Sequence, residues 1–305
     1  MTPKMTLVLP IYNVEDYLPQ CLESVIHQTL DEIQIICVND GSTDHSRSIL
    51  SEYAKRDDRI EIIDQENQGA GTARNAAYPH IKGEFTYFAD PDDWLELNLC
   101  EKTFCAAKRK RSDAVYFQHH VINEGKKSYY FHQMTRKTHT EKRDFGCFTS
   151  AWKKIWKTDF LLKNDIRFCE GRRPNNDVIQ NWKGIILAKE ILFIPDFLYH
   201  HRIRSGSYQQ TIDKCHMIII ESCKKIENFL DSVGLFDEYK MSFIPFKLRA
   251  MYSKIWRVPI ETRNTMAHKI ALSLTPRDHV FILKYGEHYC GWCYTFYKNL
   301  IDKQQ

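Results

Sequence analysis

Three carboxylates within four residues, Asp90, Asp92 and Asp93, close the segment Gly83-Glu84-Phe85-Thr86-Tyr87-Phe88-Ala89-Asp90-Pro91-Asp92-Asp93-Trp94. They follow Phe85–Ala89 directly, an apolar, aromatic run of strand length. Carboxylates this close repel one another and resist burial. A divalent cation reverses that penalty, because hard cations prefer oxygen ligands, and Mg²⁺ or Mn²⁺ commonly combines one or two carboxylates with substrate phosphates. Pro91 fixes its own φ and restricts Asp90, which stiffens the turn aiming these groups. The plainer alternative is an acidic helix start, with Asp92 or Asp93 capping the residues from Trp94 onward.

Asp177 is a second point of interest, at the end of the loop Phe168–Asn176 and near Arg172 and Arg173. Asn176-Asp177 before an apolar-periodic stretch is ordinary N-cap chemistry, and residue physics alone favours the cap. Other motifs carry less. Gly69-Ala70-Gly71 fails as a dinucleotide fingerprint, since Arg74 takes the third glycine position. Cys290 and Cys293 lack a second pair for zinc and read as packed thiols. Lys108–Arg111 reads as the basic end of a helix rather than a nucleic-acid contact.

Positioning these groups falls to continuous apolar strands at Thr6–Ile11, Ile33–Val38, Ile60–Ile63 and Phe85–Ala89, whose starts are 25 to 27 residues apart. Helical patterns separate them, so the reading is an α/β fold with a mostly parallel sheet flanked by helices. In such sheets ligands bind beyond the carboxyl ends of the strands. Tyr12-Asn13, Asp40, Gly69–Arg74 and Asp90–Asp93 all fall there. Further on, Ala114–Phe117 and Ile191–Ile194 read as strands and Ala151–Lys163 as a helix. Tyr199–Arg204 is dense in ionisable groups, and the chain beyond about 212 reads as helical.

The 305 residues are 43% hydrophobic and 27% charged, a globular composition. No 18-residue apolar run suggests a membrane span, and the first residues lack a signal-peptide core. Ten scattered cysteines fit a reducing cytoplasm. Residues 1–100 carry 18 acidic against 7 basic side chains, whereas 101–305 carry 21 against 36. The acidic part suits a cation and the basic part an anionic ligand or surface.

Together, Leu9-Pro10-Ile11-Tyr12-Asn13-Val14-Glu15, Val38-Asn39-Asp40-Gly41-Ser42-Thr43-Asp44, Asn67-Gln68-Gly69, Ala73-Arg74-Asn75 and Asp90-Pro91-Asp92-Asp93-Trp94 resemble the family 2 glycosyltransferases, inverting enzymes of the GT-A fold. A weaker match continues through Trp152-Lys153-Lys154, Asn176-Asp177 and Tyr199-His200-His201-Arg202-Ile203-Arg204. The resemblance implies a GT-A-like catalytic domain over 1–210 and a helical C-terminal region over 211–305. It implies that Pro10, Tyr12 and Asn13 line a nucleotide pocket, that Asp40 meets a uracil ring nitrogen, and that Arg74 lies near the base or diphosphate. Asp90 then faces ribose and metal, and Asp93 beside it also contacts the donor. Asp92 is the direct Mn²⁺ or Mg²⁺ ligand, Asp177 the general base, and His200, Arg202 and Arg204 contact diphosphate or metal. Asn176 stands where an acid is usual.

The implied reaction moves a sugar from a nucleotide diphosphate, UDP above all, to a hydroxyl of a glycan or lipid-linked acceptor in surface-polysaccharide synthesis. A catalytically inactive nucleotide-binding scaffold of the same fold is the alternative. A nucleotidyltransferase would show a glycine- and lysine-rich phosphate loop, which the chain lacks. Lys240–Arg257 mixes basic and large apolar residues, which suits a helix docking reversibly on the inner face of a membrane; a subunit interface in a homo-oligomer or an ordinary core helix fits the same pattern.

Overall fold

The computed structural model describes residues 2–123, 149–171, 175–203, 215–252, 255, 260–291, 293–295 and 297–298. The four apolar runs form β1 (Met5–Ile11), β2 (Ile33–Asp40), β3 (Ile60–Gln65) and β4 (Phe85–Phe88). They lie side by side in the order β3-β2-β1-β4, each pair parallel. Every residue of β1 and β2 is buried, which is why these runs are apolar without alternation. The connections carry α1 (Leu18–Ile26), α2 (Ser46–Arg56) and α3 (Ala70–Ala76). Pro10 sits beyond the point where β4 leaves the ladder, since Val8 carbonyl already accepts from the Ala89 amide. Its missing N–H therefore costs no strand bond. After β4 comes α4 (Leu99–Lys110), whose last turn holds Lys108, Arg109 and Lys110, with Arg111 as a left-handed cap.

The sheet continues from β4 through β7 (Lys154–Lys157), β6 (Ala114–Asn123), β8 (Ile191–Ile203) and β5 (Trp94–Leu95), making eight strands. β7 runs antiparallel to both its neighbours, while β6 and β8 are parallel. This corrects the helix expected over Ala151–Lys163. A short 3₁₀ turn (Ala151–Lys153) leads into β7, and only Thr158–Lys163 is helical, as α5. Ile155 faces Tyr87 on one side and Val115 on the other, so strand pairing with two neighbours outweighs a helical spacing of apolar residues. β8 is also longer than expected. Its register against β6 slips between Phe193 and Phe197, and Pro195, which has no N–H to donate, lies in the slip.

The chain divides into compact units at Met1–Ser207 and Tyr208–Gln305. The second contains α7 (Cys215–Ser232), α8 (Phe236–Tyr252), α9 (Ile260–Leu272) and α10 (Pro276–Tyr289). Phe243, Ile244, Phe246, Leu248, Met251 and Tyr252 are all buried. α8 is thus a core helix, and its apolar residues form no face for a membrane. Its buried Lys247 ammonium lies 2.8 Å from Glu227 and 2.5 Å from Asp278, so the charges are paired. Cys290 and Cys293 are buried free thiols, as the spacing suggested. Among the described residues no helix is long and apolar enough to cross a membrane.

One helix, α3, holds the loop that leads to Asp177. Asn75 receives the Phe168 amide on Oδ1 and donates Nδ2 to the Phe168 carbonyl, both at 3.0 Å. Thr72 Oγ1 accepts from the Gly171 amide at 2.9 Å. Gly71 has no room for a side chain, since a Cβ there would stand 2.1 Å from the Cys169 carbonyl oxygen. Gly71→Ala should therefore cost roughly 1–3 kcal/mol, an overpacking penalty against backbone that cannot rotate away. Urea unfolding checks this: the midpoint should fall with an unchanged slope, and an unmoved midpoint means the loop is not held against α3.

Candidate active site

The ends of β1 and β2 are laced together. Asn13, in the left-handed region at φ 49°, receives the Thr43 amide on Oδ1 at 2.8 Å. The Val14 amide donates to Ser46 Oγ at 3.0 Å, and the Glu15 amide to Asp44 at 3.0 Å. Tyr12 projects from this rim and is 45% exposed, free to lie against a flat ligand. Asp40, at the end of β2, is almost wholly buried. It accepts the amides of Gln68 and Gly69 and the side chain of Gln65, at 2.7–2.8 Å. The structure gives it a turn-holding task that the sequence did not announce.

Beyond β4, Asp90, Asp92 and Asp93 present carboxylate oxygens within 4.8 Å of one another. Asp93 is fastened to β8, accepting the Arg202 amide at 2.6 Å and the Tyr199 hydroxyl at 2.5 Å. Asp90 pairs with the buried guanidinium of Arg74. Arg74 also donates to Asn176 Oδ1 at 2.9 Å, and its guanidinium lies 5.1 Å from the centre of the Phe168 ring. Burial still pushes the Asp90 carboxyl up to about 6; Arg74 opposes this, and the charges of Asp92 and Asp177 reinforce it. Asp93 is raised well above its usual range, first by burial and then by its two neighbours.

Asp177 precedes α6 (Val178–Leu187), yet its side chain caps nothing. It accepts the Ala151 amide at 3.2 Å instead. The cap reading is therefore overturned. The carboxylate faces the β7 side and lies close enough to Asp90 to raise that group's pKa. Glu170, the other acid of this stretch, lines a separate groove of about 570 Å³ with Gln65, Gln68, Thr72, Asn75 and Arg167.

β8 divides its histidines between two surroundings. His200 lies 2.7 Å from Glu96, and its ring stacks on Trp94 and His120. His201 packs against Trp152, which also stacks on Tyr199 at 4.5 Å. Burial pushes His201 down to about 4, with Asp92 opposing, so the ring that senses the carboxylates is neutral at pH 7. The charge of Asp92 reaches His201, whereas the His200 ring meets Glu96. Strand alternation puts the two histidines on opposite faces. Arg202 stacks on Tyr17 and Trp94, and its Nε donates to the Asp92 carbonyl. Arg204 lies outside the described residues.

The residues fit a divalent cation. Three hard oxygen donors converge, and burial beside like charges destabilises Asp90 and Asp93 as anions. Because the Asp90 pKa is higher folded than unfolded, stability falls as pH rises from the usual carboxylate range through about 6, and a cation that binds the ionised groups restores it. Mn²⁺ should therefore raise the melting temperature more at about pH 7.5 than at about pH 5. Scanning fluorimetry with and without Mn²⁺ checks this; equal shifts at both values would remove the cation from these carboxylates.

The sequence profile described as glycosyl transferase family 2 matches residues 6–164, just over half of the chain. Glycosyltransferase GlyA of Streptococcus pneumoniae serotype 4 is 33% identical over 219 residues, covering 67% of this chain and 31% of GlyA. Glycosyltransferase GlyG of the same organism is 32% identical over 227 residues, covering 69% of this chain and 74% of GlyG. The chain thus matches less than a third of GlyA's length. The crystal structure of S. aureus TarS 1-349 in complex with UDP-GlcNAc superposes with a TM-score of 0.79 at 19% identity, covering 99% of this chain and 91% of that one. That likeness establishes the GT-A fold. With the carboxylates beyond β4 and the profile covering seven of the sheet's eight strands, the chain belongs to glycosyl transferase family 2.

Proposed function

We propose that this glycosyltransferase is a metal-dependent, inverting enzyme that moves a hexose or N-acetylhexosamine from a UDP-sugar to a hydroxyl of a surface-glycan or lipid-linked acceptor. The observation carrying this reading is the opposition of two kinds of carboxylate. Asp90 and Asp92 converge with Asp93, whereas Asp177 stands apart from them, uncapped, yet is felt by Asp90. The donor class is supported by the UDP-GlcNAc that TarS binds in the same fold.

In this reading Pro10, Tyr12 and Asn13 border the nucleotide, and Asp40 shapes its floor by fixing Gln68 and Gly69. Asp92 and Asp90 would hold Mn²⁺ or Mg²⁺, which when bound neutralises charge on the departing diphosphate. Arg74 keeps the Asp90 carboxylate in place. Asp177 removes the acceptor hydroxyl's proton as that oxygen forms its bond to the anomeric carbon. The bond from that carbon to the diphosphate oxygen breaks on the opposite face, and its electron pair leaves with UDP. Attack opposite the leaving group inverts the anomeric centre. Asn176, which stands in place of an acid, keeps its amide oxygen on Arg74, so the loop before Asp177 remains anchored.

Two variants test this. Asp92→Ala should abolish the Mn²⁺-dependent tightening of UDP binding seen by calorimetry while the melting temperature holds; unchanged affinity with metal present refutes the ligand role. Asp177→Asn should keep its melting temperature and its affinity for UDP, yet lose roughly 10²–10⁴-fold in transfer, the usual worth of a general base. Transfer at near wild-type rate in Asp177→Asn would move the base elsewhere.

A further inference from the structure

A lysine is wholly buried beside the site. Lys154, the first residue of β7, has no exposed surface. Among the described residues its ammonium forms no ion pair, and burying an unpaired charge is costly. The rings of Tyr116 and Trp156, 5.3 and 5.8 Å away, offset part of that cost. Its hydrogen bond goes to the Ser150 carbonyl at 2.9 Å. The amide of that same peptide group, Ala151 N–H, donates to Asp177 Oδ2. One peptide unit therefore has a cation on its oxygen and a carboxylate on its N–H. Hydrogen bonds in such a chain polarise one another, each strengthening the next.

We propose that Lys154 is a positioning residue for the transfer reaction, fixing and polarising the Ser150–Ala151 peptide so that its amide holds the Asp177 carboxylate toward the acceptor. This rests on Asp177 being the base. Lys154 touches neither donor nor acceptor in this account and acts only through the peptide. The charge itself is adjustable: burial brings the Lys154 pKa down to about 7, with Asp177 raising it and Lys153 and Arg74 lowering it. Below that pH the ammonium is present, and above it the hydrogen bond to Ser150 loses its charge.

The test compares Lys154→Met, Lys154→Gln and Asp177→Asn in the full chain with UDP-GlcNAc as donor. Lys154→Met keeps the length and loses the charge, so the melting temperature should hold or rise, since apolar replacement of a buried charge is often neutral or stabilising. Its kcat should fall about tenfold, the worth of one charge-assisted hydrogen bond, with donor KM and UDP affinity unchanged. Lys154→Gln, which keeps an N–H donor, should recover part of the loss. In the wild type kcat/KM should decline as pH rises through about 7, and that limb should be missing from Lys154→Met. Wild-type kcat in Lys154→Met while Asp177→Asn is inactive overturns this inference and leaves the base assignment standing. An active Asp177→Asn overturns the base assignment first. If both Lys154 variants lose melting temperature, UDP affinity and kcat together, Lys154 is a packing residue and the proposal fails.

Discussion

The catalytic end of the sheet depends on one buried guanidinium. Arg74 binds the Asp90 carboxylate and the Asn176 amide oxygen and lies close to the Phe168 ring. It thereby joins the helix after β3, the acidic turn after β4 and the loop before α6. These segments are separated by up to 102 residues in sequence. Without that cation Asp90, only partly open to solvent, would be left with its acidic neighbours and no counter-charge, a costly way to break a pair. The arginine also explains why an amide suffices at Asn176. What is needed there is an acceptor for an N–H, and an amide oxygen provides one without adding a further negative charge to an already acidic cluster.

The parallel half of the fold was legible because β1, β2 and β4 are buried throughout and therefore read as apolar runs, with the shorter Ile60–Ile63 pattern marking the half-buried β3. The antiparallel half was not. Trp152, Ile155 and Trp156 are spaced as a helix would space them, and only the presence of β4 and β6 on either side makes the stretch from Lys154 a strand. α8 misled in another way. Its large apolar residues mixed with lysine suggest an interface, but Lys247 is itself buried, held by Glu227 and by Asp278 from another helix, and those partners are invisible in a local window.

Within the site, the acids beyond β4 announced themselves through their crowding, while Asp177 did not. At the head of a helix an aspartate is ordinarily a cap, and only the partner of its oxygen separates the two uses. Here that partner is a peptide N–H from the turn before β7, not an amide of its own helix. The histidines show the same limit. Neighbours in sequence point to opposite faces of a strand, so naming one of the pair requires knowing the strand's phase.

That phase is set by the second of two slips in β8, at Leu198 between Phe197 and Tyr199, because the first, around Pro195, adds an even number of residues. Between the pairings Tyr116↔Phe193 and His119↔Tyr199, β8 advances six residues while β6 advances three. An odd surplus inverts parity. β8 therefore behaves as two half-strands in antiphase that share a single ladder, and the stretch ahead of the slip can follow the demands of the core while the stretch behind it follows those of the cleft. Tyr199 and His201 owe their side of the sheet to that inversion as much as to their own chemistry, so substitution can alter which side chains they are, but only insertion or deletion can alter which way they look.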